Sequence, residues 1–247
     1  MDNIFIGTSG WSYKHWKGLF YPQKMKAANY LAYYAQHFDC AEINTSFYHL
    51  PKIETVANWA ARVPPHFKFC AKMSRYLTHM KKLHEPEEPL QRFFEVFEPI
   101  EKQMGPVLIQ LPPFLKFNYD VAGHLYQLLF TKYKQFEFVM EVRHATWLQE
   151  ESLTLMAKYN IGLVIAQSGV SFPYSEMITA KNIYVRFHGP GALYASAYSD
   201  EALYLFAGKF KEWRKKGHII WAFFNNDVHG YATEDAKRLM QMIKNNG

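Results

Sequence analysis

Five charged or titratable side chains stand inside stretches of the sequence that are otherwise apolar. They are Glu42 in FDCAEINTS, Lys72 in FKFCAKM, Glu141 in FEFVMEVRH, and Arg186 and His188 in NIYVRFHG. Two carboxyl groups among cations suit general acid–base catalysis, because neighbouring groups can push their pKa values apart and leave one of them protonated. We therefore predict Glu42, Glu141, His188 and Lys72 as catalytic residues.

Further polar and aromatic side chains stand where the apolar stretches end and in the loops that follow them. Amide and hydroxyl groups could orient a substrate, cations could hold its phosphate or carboxylate, and aromatic rings could stack on a sugar or a base. The predicted substrate-binding residues are Thr8, Trp11, Tyr13, Asn44, Tyr48, His79, Gln110, Arg143, Trp147, Arg186, Tyr194, Asn225, Asn226 and Asp227.

Short apolar runs must position these residues, and we predict them to be β-strands. They cover residues 4–9, 41–46, 67–73, 107–112, 136–144, 161–168, 182–189 and 218–226. Most are continuously apolar, which is typical of parallel strands that are covered on both faces. Helical patterns alternate with them to the end of the chain. The sequence therefore predicts an α/β protein with a (β/α)8 TIM-type barrel, as a single domain over residues 1–247.

Two features modify this barrel. The segment GVSFPYSEMITA, between the sixth and seventh strands, is short and interrupted by Pro173, so the helix there is predicted to be reduced or missing. The longest loops follow the first and third strands. In TIM-type barrels the site is carried by the loops at the carboxyl ends of the strands, so we expect the polar residues to converge at that face.

The charged residues also have a structural interpretation. Burying an unpaired charge costs several kcal/mol, so Glu42, Lys72, Glu141 and Arg186 would be expected to pair as a buried network. We favour a functional site, because barrels collect catalytic residues from many strand ends. Both interpretations hold if a paired network also lines a pocket.

Composition narrows the class of protein. The sequence is 49% hydrophobic and 20% charged, far from the composition of disordered chains. It contains no run of about 18 apolar residues, and its start, MDNIFIGTSG, lacks the features of a secretory signal. These features predict a cytoplasmic protein with no membrane contact. The net charge of +6 favours anionic partners.

Sequence motifs indicate no cofactor. GTSGW does not match the phosphate-binding pattern GxxxxGK[ST], and neither GxGxxG nor GxSxG is present. Cys40 and Cys70 stand in apolar surroundings and are predicted to be buried free thiols. A divalent metal held by Glu42, Glu141, His188 and Asp227 remains an alternative, although no HxH or HExxH spacing supports it.

Seven ordered motifs span the chain from the first strand to the last helix. They are GTSGWSYKHWKGLFYP, FDCAEINTSFYHLP, FKFCAKMSRYLTH, GPVLIQLPP, EVRHATW, YVRFHGP and FFNNDVHGYATEDA. The sequence thereby resembles the family called domain of unknown function 72, the YecE-like proteins. This resemblance implies a fold similar to TIM barrels and implies no particular activity. Gln167 and Ser168 stand where members of the family often carry an acidic residue.

Three functions are compatible with these residues. The first, which we favour, is a hydrolase or lyase that acts on a small anionic substrate containing phosphate, such as a phosphorylated sugar or a nucleic-acid fragment. The second is a metal-dependent nuclease or isomerase. The third is a non-catalytic protein that binds nucleic acid or a protein partner, although no RNP, zinc-finger or helix-turn-helix signature is present. The sequence does not indicate an oligomeric state.

Overall fold

The computed structural model describes residues 3–169 and 171–245, in which parallel strands alternate with helices. The strands are β1 (Ile4–Thr8), β2 (Cys40–Ile43), β3 (Lys68–Ala71), β4 (Val107–Gln110), β5 (Phe138–Glu141), β6 (Gly162–Gln167), β7 (Asn182–Phe187) and β8 (Ile219–Phe224). The α-helices are α1 (Tyr30–Tyr34), α2 (Thr45–Tyr48), α3 (Ile53–Ala60), α4 (Glu87–Phe97), α5 (Tyr119–Lys132), α6 (Glu150–Lys158), α7 (Asp200–Lys215) and α8 (Tyr231–Asn245). Shorter helical turns cover Lys14–Trp16, Ala27–Asn29, Tyr76–Met80, Glu98–Gln103 and Ala145–Leu148.

The strands do not close into a (β/α)8 barrel, so that prediction was wrong. Six of them form one parallel sheet in the order β1-β8-β7-β6-β5-β4, and β2 pairs with β3 in a separate sheet. Continuous hydrogen-bonded pairing is interrupted at two places, between β1 and β2 and between β3 and β4. Each interruption has a local cause.

Tyr34 takes the place of the backbone pairing between β1 and β2. Its hydroxyl accepts a hydrogen bond from the backbone N–H of Thr8 at 2.9 Å and donates one to the carbonyl oxygen of Cys40 at 3.1 Å. These backbone groups are therefore satisfied by a side chain rather than by the neighbouring strand. A single isolated bridge, between Ser9 and Glu42, pairs the two chain segments beyond this point.

Pro106 interrupts the pairing between β3 and β4. The two segments meet at isolated bridges that join Phe69 with Met104 and Lys72 with Leu108. One more residue separates the bridged positions on the β4 side than on the β3 side, which is the geometry of a β-bulge. Proline has no N–H to donate, so a continuous ladder cannot form through this position.

An irregular segment replaces a helix between β6 and β7 in residues 168–169 and 171–181, the part of this connection that the structure describes. Its C-terminal end is fastened by Thr179, which is buried. The Thr179 hydroxyl donates to the carbonyl oxygen of Ile161 at 2.7 Å and accepts from the N–H of Leu163 at 2.8 Å. The segment is thereby anchored to the start of β6.

The helix boundaries follow capping residues in the sequence. The Ser199 hydroxyl accepts a hydrogen bond from the N–H of Ala202 at the start of α7, and Asn118 caps α5 in the same way. Gly217 follows α7 with a φ of +88°, the left-handed conformation that commonly ends a helix. No helix in the described residues has the length and apolar character that a bilayer crossing needs.

Apolar side chains pack on both faces of the strands. The outer face packs against the helices in the larger core. A smaller inner cluster fills the space between the two sheets and comprises Cys40, Cys70, Leu108, Val139, Val164, Tyr184, Trp221 and Phe223. Both cysteines are free and buried, as predicted.

The inner cluster determines where polar side chains can lie. Successive residues of a strand alternate between its faces, so the next inward position is two residues further on. On β2 to β5, β7 and β8 these next positions are polar: Glu42, Lys72, Gln110, Glu141, Arg186 and Asn225. One layer of polar side chains therefore lies directly above the inner apolar cluster, at the carboxyl ends of the strands.

Gly7 on β1 permits the close approach of β1 to β2. A Cβ atom at this position would lie 2.2 Å from the carbonyl oxygen of Cys40, so we expect Gly7→Ala to lower the free energy of unfolding by about 1–3 kcal/mol through overpacking. The matched control is Gly208→Ala in α7, where a Cβ meets nothing within 4 Å and should stabilise the helix by up to about 1 kcal/mol. Urea unfolding of both variants checks this, and equal stabilities would contradict it.

Candidate active site at the carboxyl ends of the strands

Arg186 on β7 is the centre of a buried ion-pair network. Its guanidinium donates to Glu42 through Nη2 at 2.6 Å and Nε at 3.0 Å, and to Glu141 through Nη1 at 2.6 Å. Both carboxylates are fully buried, and Arg186 is 2% exposed. Since Glu42 lies on β2 while Arg186 and Glu141 belong to the larger sheet, the network joins the two sheets across the space between them.

Glu42 is surrounded by hydrogen-bond donors. Besides Arg186, the hydroxyls of Ser9 and Tyr184 each donate to it at 2.8 Å. Burial by itself would raise the pKa of Glu42, but the charge and hydrogen bonds of Arg186 outweigh burial and lower this pKa below its ordinary value. Glu42 is therefore a carboxylate at neutral pH.

Glu141 is held in the same state by two guanidinium groups. Arg143 donates to its Oε1 through Nε at 2.7 Å and also through Nη2. Burial opposes ionisation of Glu141, yet Arg186 and Arg143 together lower its pKa well below the ordinary value. The acid–base hypothesis needed the pKa values of Glu42 and Glu141 to be moved apart. Both are instead lowered, so both side chains act as fixed negative charges.

His188 is fully buried beside Glu141. Its Nε2 lies 3.5 Å from Glu141 Oε1, and neither ring nitrogen has a hydrogen-bond partner among the described residues. The rings of Phe172 and Tyr194 pack edge-on against the imidazole. Burial lowers the pKa of His188 although Glu141 acts in the opposite sense, so the ring is neutral at pH 7.

Lys72 lies next to the network without a carboxylate partner within 4 Å among the described residues. Its Nζ donates to Gln110 Oε1 at 2.6 Å and lies 4.0 Å from the centroid of the Phe47 ring, and the residue is 9% exposed. Burial, followed by the positive charge of Arg186, lowers the pKa of Lys72 to about 8, while Glu141 and Glu42 act in the opposite sense. Lys72 therefore changes its charge close to neutral pH.

His79 borders the same region from the π-helical turn Tyr76–Met80. Its ring packs edge-on against Phe47, the residue that also contacts Lys72, and its Nδ1 lies 2.9 Å from the Thr78 hydroxyl. Burial and the positive charge of Lys72 lower the pKa of His79 to about 4. His79 is therefore a neutral, half-buried group at pH 7.

The structure places nine predicted site residues in one region, six of them linked through the Arg186 network and His188, and three linked through the Lys72–Gln110 hydrogen bond and the Phe47 ring. They are Glu42, Lys72, His79, Gln110, Glu141, Arg143, Arg186, His188 and Tyr194. Alternation along β8 adds Asn225, whose Oδ1 is buried with no partner among the described residues. The catalytic and binding roles of these residues stay predictions.

Asp227 and Asn226 hold loops together instead of facing this group. Asp227 accepts hydrogen bonds from the buried Trp16 indole at 2.6 Å and from His15 at 2.8 Å, which fastens the loop after β1 to the end of β8. Asn226 donates to Asp235 at 2.8 Å. Asn226 Oδ1 is buried with no partner among the described residues, and the binding roles predicted for Asp227 and Asn226 stay predictions.

Three other predicted residues are also placed apart from the group. Thr8 is bound to Tyr34 between β1 and β2. Trp147 is buried in the outer core, with its indole N–H donating to the carbonyl oxygen of Leu115. Tyr48 points to solvent and is 63% exposed.

Trp11, Tyr13 and Asn44 line a cavity of about 430 Å³ between α1 and α3. The rings of Trp11 and Trp59 meet edge-on in its wall, with centroids 5.3 Å apart. Glu42 contributes to the lining of this cavity as well as to the ion-pair network. The cavity is therefore a neighbour of the group rather than part of it.

Four residues of the site lie outside the predicted set: Ser9, Phe47, Tyr184 and Phe172. Tyr184 precedes Arg186 by two residues, so alternation along β7 would have placed its hydroxyl beside Glu42. Phe172 stacks on the Arg143 guanidinium, with 3.3 Å between Cζ and the ring centroid. No sequence signal indicates this contact, because Phe172 belongs to the irregular segment between β6 and β7.

The donor set considered for a metal does not assemble. The described residues contain no group of three or more His, Cys, Asp and Glu side chains that could hold a metal ion. Arg186 occupies both Glu42 and Glu141, and Asp227 is bound to the loop after β1.

Comparison with known proteins settles the family. A family model described as "Protein of unknown function DUF72" matches residues 5–247. The chain belongs to the DUF72 family. This confirms the resemblance carried by the seven motifs, and the family's description assigns no activity.

Two curated relatives of this DUF72 chain are named UPF0759 protein YecE, from Escherichia coli K12 and O157:H7. Each is 30% identical to it over 183 residues, which is 71% of this chain and 64% of the relative. The matched region thus spans just under two thirds of the relatives' length.

Solved structures show the same fold. A DUF72 family protein from Thermotoga maritima MSB8 is 28% identical and superposes with a TM-score of 0.86, covering 98% of this chain and 99% of that one. Another, from Enterococcus faecalis V583, is 21% identical with a TM-score of 0.83, covering 98% and 95% of the two chains. The arrangement of strands in this DUF72 chain is therefore shared with experimentally solved relatives.

Removing the central guanidinium of the DUF72 chain should leave two buried carboxylates without their main partner. We expect Arg186→Met to lower the free energy of unfolding at neutral pH by about 3–5 kcal/mol. The loss should shrink as the pH falls, because the unpaired carboxyl groups then bind protons. The control is Arg92→Met, which breaks an exposed pair with Glu88 and should cost less than about 1 kcal/mol. Urea unfolding measures both, and equal losses would contradict the prediction.

Lys72 should make stability depend on pH in a defined direction. The unfolded chain keeps the proton on a lysine up to a pKa of about 10.4, whereas the folded protein releases it near pH 8. Between these values the unfolded state binds more protons, so the free energy of unfolding rises with pH.

Replacing Lys72 by an apolar residue should remove this dependence. We expect Lys72→Met to be more stable than the wild type at pH 7 by roughly 1–3 kcal/mol, since each unit of pKa shift corresponds to about 1.4 kcal/mol. The difference should shrink as the pH rises from about 8 to about 10. Unfolding curves across this range check it, with Lys134→Met as an exposed control. A difference that does not change with pH would count against a lowered pKa.

Proposed function

We propose that this protein is an enzyme that acts on a small anionic substrate at the carboxyl ends of the strands. The observation that carries the proposal is the position of Lys72. It is a largely buried amine whose contacts are an amide oxygen and an aromatic ring, with no carboxylate of its own. A buried cation in these surroundings lacks a partner that a substrate would provide.

The charges of the group support an anionic ligand. Glu42 and Glu141 are ionised, and Arg186, Arg143 and protonated Lys72 oppose them. Three cations against two carboxylates leave one positive charge without compensation. A phosphate or carboxylate group of the substrate would complete the balance, and such groups form strong hydrogen bonds with guanidinium and ammonium groups.

The side of the group that reaches solvent has the chemistry for such a ligand. Gln110 and His79 are partly exposed, whereas Glu141 is fully buried and the Arg143 side chain is 7% exposed. Arg143 uses only two of its N–H groups on Glu141 and stacks on Phe172, so its guanidinium is fixed in place with N–H groups to spare. We assign the anionic group of the ligand to Lys72 and to these remaining N–H groups.

Lys72 also suits proton transfer. General acid–base catalysis is most efficient when the pKa of the catalytic group lies near the working pH. The pKa of Lys72, about 8, lies about one unit from neutral pH, whereas Glu42 and Glu141 remain ionised. We therefore assign proton transfer in a hydrolase or lyase reaction to Lys72, and electrostatic positioning of Lys72 to the two carboxylates.

Thermal unfolding with candidate ligands tests the proposal. Inorganic phosphate, sugar phosphates, dicarboxylates and a short oligonucleotide are compared at low and high salt. A ligand at about 100 times its Kd adds about 2.7 kcal/mol, which raises the Tm of a chain of this size by roughly 5–10 °C. We expect this rise with a small anion in the wild type and its loss in Lys72→Gln, while Lys134→Gln behaves as the wild type.

Two outcomes would overturn the proposal. Equal stabilisation of wild type and Lys72→Gln would place the anion elsewhere. Stabilisation by the oligonucleotide alone, lost at high salt, would indicate a nucleic-acid-binding protein, because contacts with the phosphate backbone weaken steeply as salt rises.

A further inference from the structure

We propose that Lys72 forms an imine with the carbonyl group of an anionic aldehyde or ketone. This inference rests on the proposed function and narrows it in two ways. The substrate carries a carbonyl group as well as a phosphate or carboxylate, and the reaction proceeds through a covalent intermediate on Lys72.

The backbone of Lys72 is fixed on both sides. The residue directly follows β3, and its N–H donates to the carbonyl oxygen of Ile43 at the end of β2. The next N–H along the chain, of Met73, donates to Leu108 on β4 at 2.8 Å. A nucleophile on a rigid element attacks from a defined direction, which is the main advantage of an enzyme-bound reactant.

The side chain of Lys72 is shielded but not locked. Lys209, by contrast, forms an ion pair with Glu176. Lys72 is 9% exposed, and its Nζ contacts the amide oxygen of Gln110 and the face of the Phe47 ring. An amide oxygen can accept a hydrogen bond from the neutral amine as well as from the ammonium, so deprotonation does not break the contact.

The free amine is available near neutral pH. With a pKa of about 8, about one tenth of Lys72 is unprotonated at pH 7 and about half at pH 8. Burial in an apolar surrounding and a nearby cation are the two means by which enzymes activate lysine as a nucleophile. Here Phe47 supplies part of the apolar surface and Arg186 the cation.

The step balances without any other reactant. The Nζ lone pair attacks the carbonyl carbon, a C–N bond forms, and the carbonyl oxygen takes one proton from the nitrogen to give a carbinolamine. Loss of this oxygen with the second amine proton releases water and leaves the C=N bond. Neutral His79 contacts the same Phe47 ring as Lys72.

The fixed carboxylates stabilise what forms next. An imine takes up a proton from solvent and becomes a cation, and its carbon skeleton then releases or adds groups more readily. Glu141 and Glu42 both favour positive charge at the Lys72 nitrogen. Burial thus lowers the pKa of Lys72 and favours the neutral amine, while the two carboxylates stabilise the cationic intermediate.

Trapping with borohydride tests this inference. The protein is incubated with glycolaldehyde phosphate or pyruvate, reduced, and analysed by intact mass and peptide mapping. We expect one secondary-amine adduct per chain at Lys72, formed at least about tenfold faster than at surface lysines of ordinary pKa. Its formation should rise between about pH 7 and pH 8, and inorganic phosphate should compete with it.

Three controls make the result specific. Lys72→Arg keeps the positive charge but cannot form an imine, so the adduct should disappear. Lys134→Arg should be labelled as the wild type. Uncharged glycolaldehyde should label Lys72 more slowly than glycolaldehyde phosphate does, because it lacks the anionic group.

The outcomes separate the two proposals. If a small anion raises the Tm through Lys72 but no adduct is trapped there, the imine is wrong and anion binding stands. If neither occurs, both proposals are wrong. Uniform labelling of many lysines would also overturn the inference.

Discussion

The fold depends on the neutralisation of two fully buried carboxylates. Glu42 and Glu141 come from different sheets, and one guanidinium, that of Arg186, compensates both. Because Arg186 must reach both at hydrogen-bonding distance, it fixes the separation of the sheets where the backbone pairing is interrupted. The inner apolar cluster excludes water below this layer and strengthens the electrostatic interactions within it.

Stability and reactivity make opposite demands at the neighbouring position. A buried lysine without a carboxylate is less favourable than an apolar residue of similar size, whereas the Arg186 pairs are favourable only as a complete set. The same layer therefore contains the Arg186 ion pairs, which hold the sheets together, and Lys72, a buried amine that lacks a carboxylate partner among the described residues. Functional sites commonly tolerate such a local loss of stability, because reactivity depends on it.

Period-two alternation in apolar strands predicted which charged side chains meet, while their roles stay predictions. Glu42, Glu141 and Arg186 were recognisable because each is a charge inside an apolar run. The two interruptions that keep the strands from closing into a barrel were not predictable in this way. They depend on the hydroxyl of Tyr34 in α1 and on Pro106 before β4. Asp227 and Trp147 were predicted to bind substrate because nothing in the neighbouring sequence shows that their polar atoms form hydrogen bonds with distant loops. Phe172 had no periodic signal at all.

The sequence separation of the ion pairs has a consequence for synthesis on the ribosome. Glu42 and Arg186 are 144 residues apart in the sequence, and Trp16 and Asp227 are 211 residues apart. While the chain emerges, β2 carries a carboxylate that cannot be buried, so the first strands are expected to stay solvated until β7 has left the exit tunnel. Such distant pairing slows folding and leaves apolar strands uncovered for longer. Late pairing therefore prolongs the time for which the nascent chain is prone to non-native contacts.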